Sequence, residues 1–118
     1  MVWRDFRNLQ VWEKGMALCS EVYSLTKALP KEELFGLTSQ LQRAAVSIPS
    51  NIAEGRGRQT EKEFCNFLSI ARGSCCEVIT QLLICKQLGY LDEKQIDPAL
   101  DLCDEVGRML SSLMQNLE

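Results

Sequence analysis

The chain has 118 residues, of which 46% are hydrophobic and 25% charged, and its net charge is −3. That length fits one domain spanning residues 1–118, with a core large enough to need no staples, and that composition excludes disorder as the default state. The acidic balance argues against a generic nucleic-acid binder.

The acidic excess is local. Residues 1–31 carry five basic and three acidic side chains, segments 32–59 and 60–89 each balance three against three, and residues 90–118 carry seven acids against two bases. A basic surface outside the last segment therefore stays open. No apolar run reaches the roughly 18 residues of a membrane span. The N-terminal "MVWRDFRNLQVW" lacks the apolar region of a signal peptide, so the expected location is the cytoplasm, with no membrane contact. Six cysteines sit inside helical patterns, which favours free thiols acting as small core residues over a disulfide framework.

Four helical patterns follow, with no stretch of the period-two alternation that a half-buried strand requires. The first, about 7–28, has two apolar stripes: Leu9, Trp12, Met16, Cys19, Tyr23 and Val11, Leu18, Val22, Leu25. Two stripes predict contact on two sides. Pro30 ends this helix by restricting Leu29 and by lacking an N–H.

The second helix is predicted over about 32–56, burying Leu34, Leu37, Leu41, Ala44, Ala45, Ile48 and Ile52. Pro49 removes the bond to the carbonyl of Ala45, but the stripe continues to Ile52, which predicts a kink and not a stop. Glycines 55 and 57 then close the helix.

"TEKE", a capping box, opens the third helix at Thr60, and Gly89 is its expected C-terminal cap. Its apolar face runs through Phe64, Phe67, Leu68, Ala71, Cys75, Val78, Leu82 and Cys85, and Cys65, Arg72, Cys76, Ile79 and Leu83 widen the sector. The fourth helix starts with Asp92 as N-cap and Gln95 as its capping-box partner, and its inward stripe is Ile96, Leu100, Cys103, Val106, Leu110, Leu113 and Leu117. Pro98 places the start of the regular helix at about Ile96 or Asp97. Short breaks between long helices make neighbours antiparallel, so the predicted fold is an all-α, up-down-up-down four-helix bundle.

The chain contains no histidine, which excludes a Ser-His-Asp triad, a Cys-His pair, an HExxH zinc site and the Glu-x-x-His di-iron motif. The cysteines at 65, 75, 76 and 85 lack CxxC spacing, so core packing is favoured over a metal site. "GRGRQTE" lacks the preceding strand and the Gly-Lys-Ser/Thr of a phosphate loop. No cofactor is expected.

Two polar stripes are left. On the second helix Ser47, Ser50, Asn51, Glu54 and Arg58 all lie within about 80° of Arg43 at ~100° per residue. They read as a solvated face with an Arg43 to Glu54 interaction, or as a partner contact. Asn66, Ser69, Gly73, Glu77 and Thr80 form a comparable stripe on the third helix, small enough for another helix to approach closely. Arg56, Arg58 and Lys62 cluster at the corner between the two, with Arg4 and Arg7 available from the N-terminal arm. Phosphate binding needs several such cations presented together, which repetition around an oligomer would supply.

The segments "RAAVSIPSNIAEGRGR" (43–58) and "EFCNFLSIARGSCCEVITQL" (63–82), with "FRNLQVWEKGMALCSEVY" in the first helix and "LGYLDEKQ" before the last, carry a resemblance over nearly the whole chain. Together they resemble the bacterial four-helix-bundle family of proteins encoded in intervening sequences of 23S ribosomal RNA genes. That family includes the accessory variability determinant, Avd, of diversity-generating retroelements. The resemblance implies a ring-shaped homo-oligomer, a homopentamer, with a non-enzymatic role, in the retroelement branch as partner of a reverse transcriptase and its RNA. A ring would also explain the wide apolar sector of the third helix. By position, the resemblance assigns Pro49, Asn51, Glu54 and Gly55 to a structural signature. It places Arg43 in the same signature and assigns Arg56, Arg58 and Lys62 to contact with RNA or protein, while the polar stripe makes Arg43 a candidate partner contact as well.

The acidic fourth helix departs from the strongly basic retroelement ring and weakens the expectation of tight direct RNA binding. Two rivals stand beside the adaptor reading: a metal- or cofactor-using enzyme built in the bundle core, and a self-assembling ring with no identified ligand.

Overall fold

The computed structural model describes residues 2–117, with side chains from Asp5 onward. Its helices are α1 (Val2–Arg7), α2 (Gln10–Thr26), α3 (Leu37–Arg56), α4 (Glu61–Gln87) and α5 (Glu93–Leu117), with a 3-10 turn at Lys31–Glu33. The four long helices form an elongated bundle of 43 × 22 × 19 Å. Each packs on its two neighbours in the cycle α2, α3, α4, α5, and no diagonal pair is in contact among the described residues.

Neighbours are antiparallel. Cys19 meets Ala45 while Thr26 meets Gln42, and Cys65 meets Met114 while Arg72 meets Ser111, so position falls on one helix as it rises on the next. The core this encloses includes Leu18, Val22, Leu41, Ile48, Ile52, Leu68, Val78, Leu82, Ile96 and Leu110, all essentially inaccessible.

The helix ends follow their chemistry. Thr60 Oγ1 accepts from the Glu63 N–H at 3.1 Å, although the return bond from the Glu63 side chain is not made among the described residues. Asp92 and Gln95 close a complete capping box, each side chain bonded to the other's backbone N–H at 2.8 Å. Gly89, at φ 80°, ends α4 in a Schellman arrangement, with the Tyr90 N–H reaching the Cys85 carbonyl and the Gly89 N–H the Lys86 carbonyl.

Four expectations need correction. The first helix does not start at residue 7: α1 stops there, Leu9 is extended (φ −78°, ψ 123°), and α2 begins at Gln10. Of its two stripes Val11, Leu18, Val22 and Leu25 are buried in the core, and Leu9, Trp12 and Cys19 of the other pack against its edge, whereas Met16 and Tyr23 are exposed. The second helix begins at Leu37, not at 32, because Gly36 breaks the backbone at φ −115°, ψ −113° and Glu33 caps the new start by accepting the Leu37 N–H at 3.1 Å. Leu34 is thereby left outside the helix and 54% exposed. For the last helix the Asp92 cap is borne out over the later start near Ile96 or Asp97: it begins at Glu93 despite Pro98, because the complete capping box holds the first turn and outweighs the one bond the proline forgoes.

Glu33 does a second thing: its other oxygen accepts from the Tyr90 hydroxyl at 3.1 Å, tying the start of α3 to the link between α4 and α5. That bond raises the Tyr90 phenol above its ordinary 10.0.

By length and mean hydropathy (1.4) α4 could cross a membrane. Its buried residues Phe64, Leu68, Ala71, Cys75, Val78, Leu82 and Cys85 instead line the core shared with α3 and α5. The wide apolar sector follows in part from this position between two neighbours, with Cys65 and Ile79 half-buried at its edge.

Candidate functional site

The signature segment of α3 is built around a helix that runs through a proline. Pro49 cannot donate to the Ala45 carbonyl, and the Cys19 thiol of α2 takes that role at 3.0 Å. Burial pushes this thiol up to about 11, which keeps it protonated and able to donate. Gly15 lets α2 come close here: a Cβ at that position would stand 3.3 Å from Ile48 and 3.5 Å from Pro49.

On the opposite flank of α3, Asn51 donates to the Ser47 carbonyl at 2.7 Å and to Ser47 Oγ at 2.8 Å. Ser47 Oγ lies 2.8 Å from Ser74 Oγ on α4, and Ser74 donates to the Ile70 carbonyl at 3.2 Å. With Ser74 committed as a donor there, Ser47 donates to Ser74, and the chain of hydrogen bonds runs in one direction from α3 into α4.

One turn further on, Gly55 carries a close approach of α3 to α4. A Cβ there would stand 2.6 Å from the Phe67 Cβ and 3.0 Å from the Phe64 ring. The space that glycine leaves is filled by rings over which the corner cations lie, Arg56 at 5.9 Å from the Phe64 centroid and Arg58 at 4.8 Å from the Phe67 centroid. Glu54 pairs with Arg58 at 2.7 Å, not with Arg43 as the stripe had suggested, since one turn of separation is shorter than three.

The predicted cations therefore do not form one cluster. Arg56 and Arg58 stand together on the α3 side of the corner, and Arg58 is already committed to Glu54 and Phe67. Lys62 instead lines a separate groove at the α4/α5 side with Asn66, Ser69, Arg72 and Met114. Arg43 lies far along α3, about 20 Å from Arg56 at ~1.5 Å per residue, in a groove with Tyr23, Val46 and Ser50. Arg7 ends α1, which packs on α2 and α3, and the side chain of Arg4 lies outside the described residues. From Glu54 to Glu63 the corner carries three cations and three carboxylates, so it has no net positive charge.

Sequence reasoning missed the roles of Cys19, Ser74, Phe64 and Phe67. The two phenylalanines were visible as core residues, and their spacing from Thr60 puts them on the face that meets Gly55. Nothing in the local pattern marked Cys19 as the donor that a proline thirty residues away requires.

Among the described residues no three or more Cys, Asp or Glu side chains are grouped as metal ligands. Cys75 and Cys103 are both raised to about 12, chiefly by burial, and so behave as packed thiols and not as nucleophiles.

The fold and this segment define a class: an antiparallel four-helix bundle whose most elaborate local chemistry serves to seat α3 against its neighbours. The family model described as 23S rRNA-intervening sequence protein matches residues 7–112, and the chain belongs to that family. A crystal structure of a protein of unknown function from the S23 ribosomal protein family of Bacteroides thetaiotaomicron shares the fold, with a TM-score of 0.82 at 24% identity, over 89% of this chain and 98% of that one. No curated protein matches the chain.

Proposed function

We propose that the protein is a non-enzymatic, homo-oligomeric adaptor, a ring of five subunits that presents repeated surfaces to a protein or ribonucleoprotein partner such as a reverse transcriptase with its RNA. The observation that carries this reading is the surplus of exposed apolar side chains after the core is complete. Met16, Tyr23, Val46, Ile70 and Leu83 are each about half exposed, between 43 and 52%, on helices whose inner faces are packed. Met16, Tyr23 and Val46 line adjoining grooves, and a contiguous apolar patch of this kind marks a site of contact.

The resemblance noted above supplies the ring and the partner class. The neutral corner at Arg56, Arg58 and Lys62 favours protein contact over tight binding of bare RNA, because counterion release needs uncompensated cations. Repetition around a ring multiplies whatever weak contact each corner makes.

The test is the mass of the purified protein by light scattering, alone and with a short structured RNA across a salt series. The reading predicts a pentamer-sized particle with, at most, RNA binding that is lost steeply as salt rises. A stable monomer overturns it. Charge reversal at Arg56, Arg58 and Lys62 should weaken binding of the partner without changing the particle mass, and unchanged binding would remove these residues from the contact.

A further inference from the structure

Two surfaces of the bundle carry apolar side chains that its own core leaves exposed. One is a groove between α2 and α3, where Met16, Tyr23 and Val46 stand among Gln42 and several serines beside Trp12 and Pro49, with Arg43 as the one charged side chain on its walls among the described residues. Val46 in its floor is 43% exposed. The α3 wall of this groove runs from Ser39 to Ala53, about 21 Å of helix at ~1.5 Å per residue.

The other is a ridge on the outer face of α4. Ile70, Glu77 and Ile84 follow one another there at heptad spacing, so they lie nearly in line along the helix, and all three are exposed. This ridge is also about 21 Å long at ~1.5 Å per residue. Gly73 beside it has open space where a side chain would stand, which lets another backbone come close.

We infer that the α4 ridge of one copy seats in the α2/α3 groove of the next, with Glu77 of one facing Arg43 of the other. The inference rests on the oligomer proposed above and names its surfaces. Length matches length, apolar surface meets apolar surface, and the single charges have opposite sign. Charge also disfavours the symmetric alternatives, since groove on groove would bring Arg43 towards Arg43, and ridge on ridge Glu77 towards Glu77. The contact is therefore heterologous, and each copy offers one of each face. Both faces flank α3, so they lie on adjacent sides of the bundle and not on opposite ones. Repetition of such a contact turns from copy to copy, as the proposed ring requires.

The experiment uses two variants of the full chain, Val46→Asp to disable the groove and Ile84→Asp to disable the ridge. Both positions are exposed, and circular dichroism checks that each subunit still melts cooperatively. The expected result by light scattering is a multimer for the wild type, a monomer for each variant alone, and a two-chain particle when the variants are mixed, because each retains one working face. Variants that keep the wild-type mass would overturn this assignment of surfaces while leaving the oligomer standing, and the groove would then belong to another occupant. A monomeric wild type would overturn the oligomer itself. Folded variants that stay monomeric when mixed would overturn the groove-to-ridge pairing.

A charge exchange provides a second reading of the same contact without adding bulk to either face. Arg43→Glu or Glu77→Arg alone should raise the concentration for half-assembly about tenfold, and the double exchange should restore it to within about threefold. Additive losses in the double variant would contradict the pairing.

Discussion

Gly55→Ala offers a sharp test of how α3 is seated on α4. The added methyl carbon would stand 2.6 Å from the Phe67 Cβ, 3.0 Å from a Phe64 ring carbon and 3.3 Å from the Phe64 carbonyl oxygen. Carbon atoms in contact prefer about 3.5–4.0 Å, so the helices must part by about 1 Å at this level. The nearest obstacle is the first atom of a side chain, fixed to its backbone, and no rotamer change can move it. Overpacking of this kind costs about 1–3 kcal/mol, and here the upper half of that range applies because the backbone itself must shift. Alanine returns up to about 1 kcal/mol through its better helix propensity, which leaves a net loss of about 1–2 kcal/mol. The assay is the urea midpoint at fixed protein concentration, read against Gly107→Ala. A Cβ at Gly107 has nothing within 4 Å, so that control should gain up to about 1 kcal/mol. A Gly55→Ala protein as stable as the wild type would refute the close approach.

Other outcomes follow from single contacts. Asn51→Ala removes the donor to Ser47 and should cost about 1–3 kcal/mol in a denaturant melt, since the half-buried Ser47 to Ser74 link loses its anchor. Asp92→Ala opens a capping box whose two bonds are both 2.8 Å, and a loss of about 1 kcal/mol is expected. Native-state alkylation at pH 8, followed by mass spectrometry, should label the exposed Cys76 first and spare Cys75, Cys85 and Cys103, which are buried. The folded thiols of Cys75 and Cys103 stand at about 12, above the ordinary 9.0, so the unfolded chain loses those protons first. Their contribution is therefore fully present below about pH 9 and is lost as pH climbs towards 12, which a melting series across that window checks.

Most of the fold could be read from residues whose chemistry acts locally. Thr60, Gly89 and the Asp92 to Gln95 pair announced helix ends because a cap needs only its own turn. The apolar stripes of α3, α4 and α5 announced the core for a similar reason. The start of α3 was harder, since Leu34 continues the helical period and nothing nearby shows that Glu33 will reach forward to the Leu37 N–H. Pro98 misled in the other direction, as a proline near a helix start reads as its boundary unless the capping box ahead of it is given more weight. The site was legible as a list of residues but not as an arrangement. Glu54 was read against Arg43, three turns away, but it pairs with Arg58 one turn on, whose guanidinium also lies over the Phe67 ring that α4 supplies. The role of Cys19 belongs wholly to tertiary structure, because the carbonyl it satisfies is emptied by a proline on another helix.

The proposal that this bundle works as an assembled ring turns first on its particle mass in solution. Light scattering on the purified protein should give five times the 13.4 kDa subunit mass, unchanged over a tenfold dilution. A single 13.4 kDa species at all concentrations would contradict the ring, the adaptor reading built on it and the seating of α4 in a neighbour's groove.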